Sequence, residues 1–189
     1  MNVVHLLPVG TMGKSLLESL SDALPQYLPI RCEILSGALE PAAAYHVERQ
    51  QFHSSEILQR IHHQMSNGCW RLLAVADVDL YIPILKYVFG EAQVGGPCAL
   101  VSAHRLRQEF YGLARDPELL QQRLLKECVH ELGHTFGLHH CQDYRCAMAS
   151  AHAVEWIDLR GSSLCDECRV QLDASGFFGA PVQHKVSAS

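Results

Sequence analysis

The stretch His130-Glu131-Leu132-Gly133-His134-Thr135-Phe136-Gly137-Leu138-His139-His140 constrains this chain more than any other feature. Two histidines four residues apart sit about 40° apart around a helix of 3.6 residues per turn, so they share a face. A glutamate stands beside the first of them. Gly137 is placed to end the helix in a left-handed turn, which lets the chain double back and bring His140 to the other two. Three neutral nitrogen donors and a carboxylate then meet in one place. That set suits a hydrolytic zinc, which takes three protein ligands and keeps a fourth position for water. The spacing makes His130, His134 and His140 the ligands and Glu131 the general base. His139, next to His140, reads as exposed or as a support to the site. His46, His62, His63 and His104 have no ligand spacing and read as ordinary histidines.

Asp116-Pro117-Glu118 announces the helix that carries the motif. An acid caps the first amides, proline fits the first turn, and a second acid faces the positive end of the helix dipole. The helix should run to about Phe136. Placed at 100° per residue, Leu125, Cys128, Val129, Leu132 and Phe136 fall in a stripe roughly 100° wide. His130 and His134 fall opposite it, with Glu131 nearer the boundary. The helix can bury the stripe against a sheet and present the ligands to a cleft.

Upstream, strand-like runs alternate with helical ones. Residues 2–7, 30–35, 71–76, 87–92 and 98–103 read as strands. Residues 14–24 have helical spacing and stop before Pro25. Ser54 or Ser55 could cap a helix through about Met65 with Ile57, Leu58 and Ile61 inward. Residues 36–52, with Gly37 and Pro41, read as a loop. Alternation of this kind predicts an α/β layer with a mostly parallel sheet and an edge strand. Few regular elements are expected after Gly137 until a short helix near residue 166, and the last ten or so residues read as a loose tail.

Eight cysteines fall into two groups. Cys141-x4-Cys146 and Cys165-x2-Cys168 supply four thiolates with metal-ligand spacing. Four thiolates leave no open coordination position, so a zinc there would be structural. It would staple a C-terminal lobe with too few apolar residues to hold itself. Reduced thiols or one disulfide is the blander reading. Cys32, Cys69, Cys98 and Cys128 are scattered among apolar residues and read as buried thiols. A methionine such as Met148, taken alone, is core filler.

Bulk properties exclude several classes. The chain has 189 residues, enough for one well-buried domain. Its net charge of −5 includes no basic concentration that would suggest nucleic acid. No apolar run approaches the roughly 18–20 residues that span a bilayer. The N-terminus lacks a basic region and a small-residue cleavage site, and reads as a first strand instead of a signal peptide. A cytoplasmic location is expected.

These residues together resemble the archaemetzincins, a family of metzincin-clan zinc metallopeptidases. The metzincin motif at His130 to His140 is followed directly by Cys141-x4-Cys146-x-Met148, then by Cys165-x-x-Cys168. The Asp77–Tyr81 and Val88–Ala92 stretches are also similar to that family. The resemblance implies a metzincin-like zincin fold: a twisted, mostly parallel mixed sheet with an active-site helix, and a small irregular lobe stapled by a four-cysteine zinc. Upper and lower lobes would divide a single catalytic domain near residues 137 and 138, with a tail from about 180. Met148 would be the Met-turn residue, an apolar base beneath the zinc histidines. Substrate would lie extended along an edge strand near Phe89 to Val94.

The function these residues point to is hydrolysis of peptide bonds at one of two bound zinc ions, on peptides or chain ends admitted by a narrow cleft. A catalytically silent zinc protein that binds peptides or a partner through the same cleft is the alternative. The expected partner is a peptide substrate, with no nucleic acid, no membrane and a monomeric chain.

Overall fold

The computed structural model describes residues 2–65 and 69–178, so the expected tail from about 180 lies outside the described residues. The elements run β1 (Val3–Val9), α1 (Lys14–Ala23), β2 (Arg31–Ile34), β3 (Tyr45–His46), β4 (Gln51–His53), α2 (Ser54–Gln64), β5 (Arg71–Ala76), β6 (Leu80–Tyr81), β7 (Gly90–Ala92), β8 (Cys98–Ser102), α3 (Pro117–Thr135), α4 (Val154–Leu159) and α5 (Asp166–Ala174). The main sheet has the order β2-β1-β5-β8-β7. Its first four strands are parallel, and β7 is the antiparallel edge beside β8. The mixed α/β architecture is the one expected from the alternating sequence pattern.

Both faces of the sheet are covered, which is why its central strands read as continuous apolar runs. Neighbouring residues alternate between two cores. Leu6, Leu73, Val75 and Val101 face α1 and α3, whereas Leu7, Leu72, Ala74 and Leu100 face α2 with Ile57, Leu58 and Ile61. The first core continues beyond the sheet to Cys146, Met148, Ile157 and Leu172, so α3 is shared between the sheet and the C-terminal lobe.

Several expectations need correction. Residues 36–52 are not simply a loop: β3 and β4 join β6 in a three-stranded sheet. Two- and three-residue strands carry too little periodicity to register in a sequence. Of residues 87–92, only Gly90–Ala92 form a strand. Neither Ser54 nor Ser55 caps α2; the cap position is His53, and both hydroxyls instead donate to the Glu91 carboxylate on β7. Cys98 and Cys128 are buried, but Cys32 lies on the outermost strand β2 and Cys69 just before β5, and both are half-exposed. The helix α4 was unforeseen, being only six residues long.

Asp116 caps α3 as expected, its carboxylate accepting from the Leu119 amide at 2.9 Å. The apolar stripe is shifted slightly: Leu124 is fully buried, while Leu125 is only partly covered. The opposite face is not open along its length. Its first half carries Arg123 and Glu127, both buried and ion-paired into α4 and the residue that follows it.

Candidate active site and metal centres

Gly137 has φ +84, the left-handed region that ends α3. Its amide bonds back to the His134 carbonyl at 2.9 Å, and the Leu138 amide to Gly133 at 3.0 Å. This turn returns the chain so that His140 lies beside the two helix histidines. The ligand atoms of His130, His134 and His140 fall within 4.8 Å of one another.

The two helix histidines are oriented for a metal. The Nδ1 of His130 faces the Ala147 carbonyl at 2.9 Å, and the Nδ1 of His134 donates to the Leu138 carbonyl at 2.7 Å. A carbonyl can only accept, so His134 Nδ1 carries the proton and its Nε2 keeps its lone pair; His130 Nδ1 faces the Ala147 carbonyl at the shorter distance and the Arg160 guanidinium at 3.1 Å. The two Nε2 atoms face one another 3.1 Å apart. Tetrahedral ligation at about 2.0–2.1 Å would place them about 3.3 Å apart, so the pair fits zinc. Burial, then the Arg160 charge, holds His130 well below its ordinary pKa; burial likewise lowers His134 and His140. All three imidazoles are therefore kept neutral, as ligation requires. His139 is exposed and lies at the rim of the same cleft.

Glu131 is buried and faces this cleft, whose volume is about 620 Å³. Burial, then the Glu127 charge, pushes its carboxyl well above the usual range. Its nearest wall is β7. A β-carbon at Gly90 would stand 2.8 Å from both Cγ and Oε1 of Glu131, so only glycine lets the edge strand approach the carboxylate this closely. A β-carbon at Gly133 would stand 2.3 Å from the Met148 sulfur. Gly133 thus makes room for Met148, which is fully buried.

Two residues that sequence reasoning missed support the site from below. Arg160 is 2 % exposed and follows α4. Its guanidinium pairs with Glu127, donates to the Ala149 carbonyl at 2.8 Å and lies 3.1 Å from His130 Nδ1. Burial pushes the Glu127 carboxyl up and Arg160 pulls it back. Glu127 could have been noticed, since Arg123, Glu127, His130 and His134 form one polar face at helical spacing. Arg160 carries no local signal.

The four cysteines predicted to form a second site also converge, with all four sulfurs within 4.8 Å of one another. Cys141 and Cys165 are 3.7 Å apart. That is too long for a disulfide of about 2.05 Å and close to the roughly 3.8 Å edge of a zinc–thiolate tetrahedron. Amides point at the sulfurs: Met148 and Cys165 donate to Cys146 at 3.4 and 3.3 Å, and Asp143 to Cys141 at 3.4 Å. Donors aimed at sulfur favour thiolate. Cys165 sits at the N-terminus of α5, where a backbone hydrogen bond, its largest influence, lowers its pKa, whereas burial raises those of Cys141 and Cys168.

Residues 16–174 match the model of peptidase family M54. An archaemetzincin of Methanocaldococcus jannaschii is 37% identical over 175 residues, covering 93% of this chain and 95% of that one. The crystal structure of an archaemetzincin from Archaeoglobus fulgidus, complexed with malonate, aligns with a TM-score of 0.77 at 30% identity, covering 89% of this chain and 99% of its own. A zinc-dependent peptidase from Methanocorpusculum labreanum aligns with a TM-score of 0.82 at 28% identity, again over 89% of this chain and 99% of its own. This chain therefore belongs to peptidase family M54, the archaemetzincins, and is a zinc metallopeptidase.

Proposed function

We propose that the protein hydrolyses peptide bonds with His130, His134 and His140 holding the catalytic zinc and Glu131 acting as general base. The observation that carries this reading is the paired orientation of the two helix imidazoles, each with Nδ1 against a carbonyl and Nε2 turned to the other, beside a carboxyl that faces the same cleft. When bound there, zinc would acidify a water and polarise the peptide carbonyl. Glu131 takes the proton of the attacking water and passes it to the leaving nitrogen. Burial, which holds its carboxyl above the usual range, favours the protonated form that this transfer passes through.

Cys141, Cys146, Cys165 and Cys168 hold a second, structural zinc that fastens the segment around Met148 to α5. Met148 acts as the apolar floor of the catalytic site. The β7 edge offers unpaired backbone groups, and an extended peptide adds to it as a further strand. A cleft of about 620 Å³ suits peptides or chain ends better than folded proteins. The protein works as a single catalytic unit, a monomer in the cytoplasm with no nucleic-acid or membrane partner. Among the described residues no helix is long and apolar enough to cross a membrane.

Glu131→Gln tests the reading. Glutamine keeps the shape but cannot take the proton, so turnover of a peptide library should fall by roughly 10²–10⁴ with metal content unchanged. Cleavage that survives at full rate would remove Glu131 from the mechanism. A cellular effect that persists in the inactive variant would instead favour a peptide-binding role.

A further inference from the structure

One hydrogen bond crosses the cleft. Tyr87, three residues before Gly90, donates its hydroxyl to the backbone carbonyl of His152 at 2.8 Å. Tyr87 belongs to the wall that leads into β7, and His152 to the segment that follows Met148 on the other side. Both residues line the cleft.

The tyrosine is braced on its own side. Its ring packs edge-on against Phe89 at 5.4 Å, and the Arg105 guanidinium lies 4.1 Å from its centre. Arg105 is fixed in turn by two bonds to Asp79 of 2.5 and 2.7 Å. Cation, ring and hydroxyl therefore form a post between the walls instead of a loose side chain.

The post stands close to the chemistry along the chain. Glu131 lies against Gly90, which sets the reacting bond opposite that residue. Tyr87 is three positions upstream, at most about 11 Å away even for a fully extended chain. Up to about three extended residues fit between them. Past Ala92 the cleft runs out along Val94, which is exposed, and no comparable side-chain bridge crosses it among the described residues.

We propose that the Tyr87–His152 bridge closes one end of the catalytic cleft and makes the protein a trimmer of peptide C-termini, releasing fragments of about one to three residues. This rests on the peptidase reading above. Two observations choose the C-terminus. A strand added antiparallel to β7 forms the more stable ladder, and its C-terminal end then points toward Tyr87. Lys86, next to Tyr87, also lines the cleft and has no carboxylate partner among the described residues, so it offers a cation to a terminal carboxylate. Water adds across the scissile bond, giving a new carboxylate on the retained peptide and a free amine on the released fragment.

The test uses zinc-loaded full-length protein and a library of peptides of about twelve residues, read by mass spectrometry. Cuts should cluster within three residues of the C-terminus. Tyr87→Phe keeps the ring and its brace but loses the bridging bond, so internal cuts should gain on terminal ones by about 2- to 10-fold, the worth of one hydrogen bond. Binding to the Glu131→Gln protein gives a readout independent of turnover: amidating the peptide C-terminus should weaken affinity several-fold, and acetylating the N-terminus should not. Cuts spread along the peptides would overturn the bridge and leave the peptidase reading intact, and N-terminal trimming would overturn the orientation. Absence of all cleavage, together with indifference to amidation, would overturn both.

Discussion

Replacing Arg160 by methionine should be among the most damaging single changes outside the metal ligands. The side chains of Arg160 and Glu127 are 1% and 4% exposed, so the variant leaves a buried carboxyl with no partner at the floor of the cleft. Breaking a buried pair from one side costs about 3–5 kcal/mol. The lost bond to the Ala149 carbonyl is worth about 1 kcal/mol within that figure. For a domain of this size each kcal/mol moves Tm by about 2–4 °C, so the variant should melt about 6–20 °C lower. The double variant Arg160→Met/Glu127→Leu removes both charges and refills the space. It should recover all but about 1–2 kcal/mol, because an apolar replacement of an entire buried pair is often neutral. Thermal and urea unfolding of Arg160→Met, Glu127→Leu and the double variant, at equal and saturating zinc, would measure the coupling. A single variant within about 1 kcal/mol of the parent, or a double variant no better than the sum of the singles, would refute the argument that the pair is a buried, mutually dependent unit.

The same pair illustrates what a sequence can and cannot disclose. The convergence of the three histidines was legible because local geometry fixes it: the helix turn places His134 over His130, and Gly137 turns the chain to His140; the meeting of the four cysteines was legible from their spacing. The parallel sheet was legible because burial on both faces leaves apolar runs in β1, β5 and β8. Arg160 was not, since its meaning depends on a carboxylate 33 residues away and on a six-residue helix too short to show a period. Tyr87 and His152 were silent for the same reason: their contact spans 65 positions and one partner is a backbone carbonyl, which has no residue identity. Gly133 was visible only as an unspecified position of the motif, although Met148 occupies the space its side chain would need.

That last contact gives a sharp expectation: Gly133→Ala should cost about 1–3 kcal/mol by overpacking against Met148, and Gly133→Ala/Met148→Ala should recover part of it in urea unfolding; an unchanged Gly133→Ala protein would show that Met148 does not fill that space. The two donor sets should also part company under chelation. Metal analysis of reduced, replete protein should find about two zinc ions per chain, and a mild chelator should take one much faster, with activity, because a three-ligand site has an open position and a four-thiolate site has none. Cys168→Ser should behave oppositely to Glu131→Gln. It removes a buried thiolate from the set that ties the segment around Met148 to α5, so metal-derived folding energy is lost and the whole C-terminal lobe loosens. Because that lobe supplies the Ala147 carbonyl that orients His130, and the Ala149 carbonyl that receives Arg160, the damage should spread to the catalytic centre and lower its zinc affinity as well. A Cys168→Ser protein that melts where the parent does and keeps both ions would mean that the thiolates neither hold a zinc nor support the histidines.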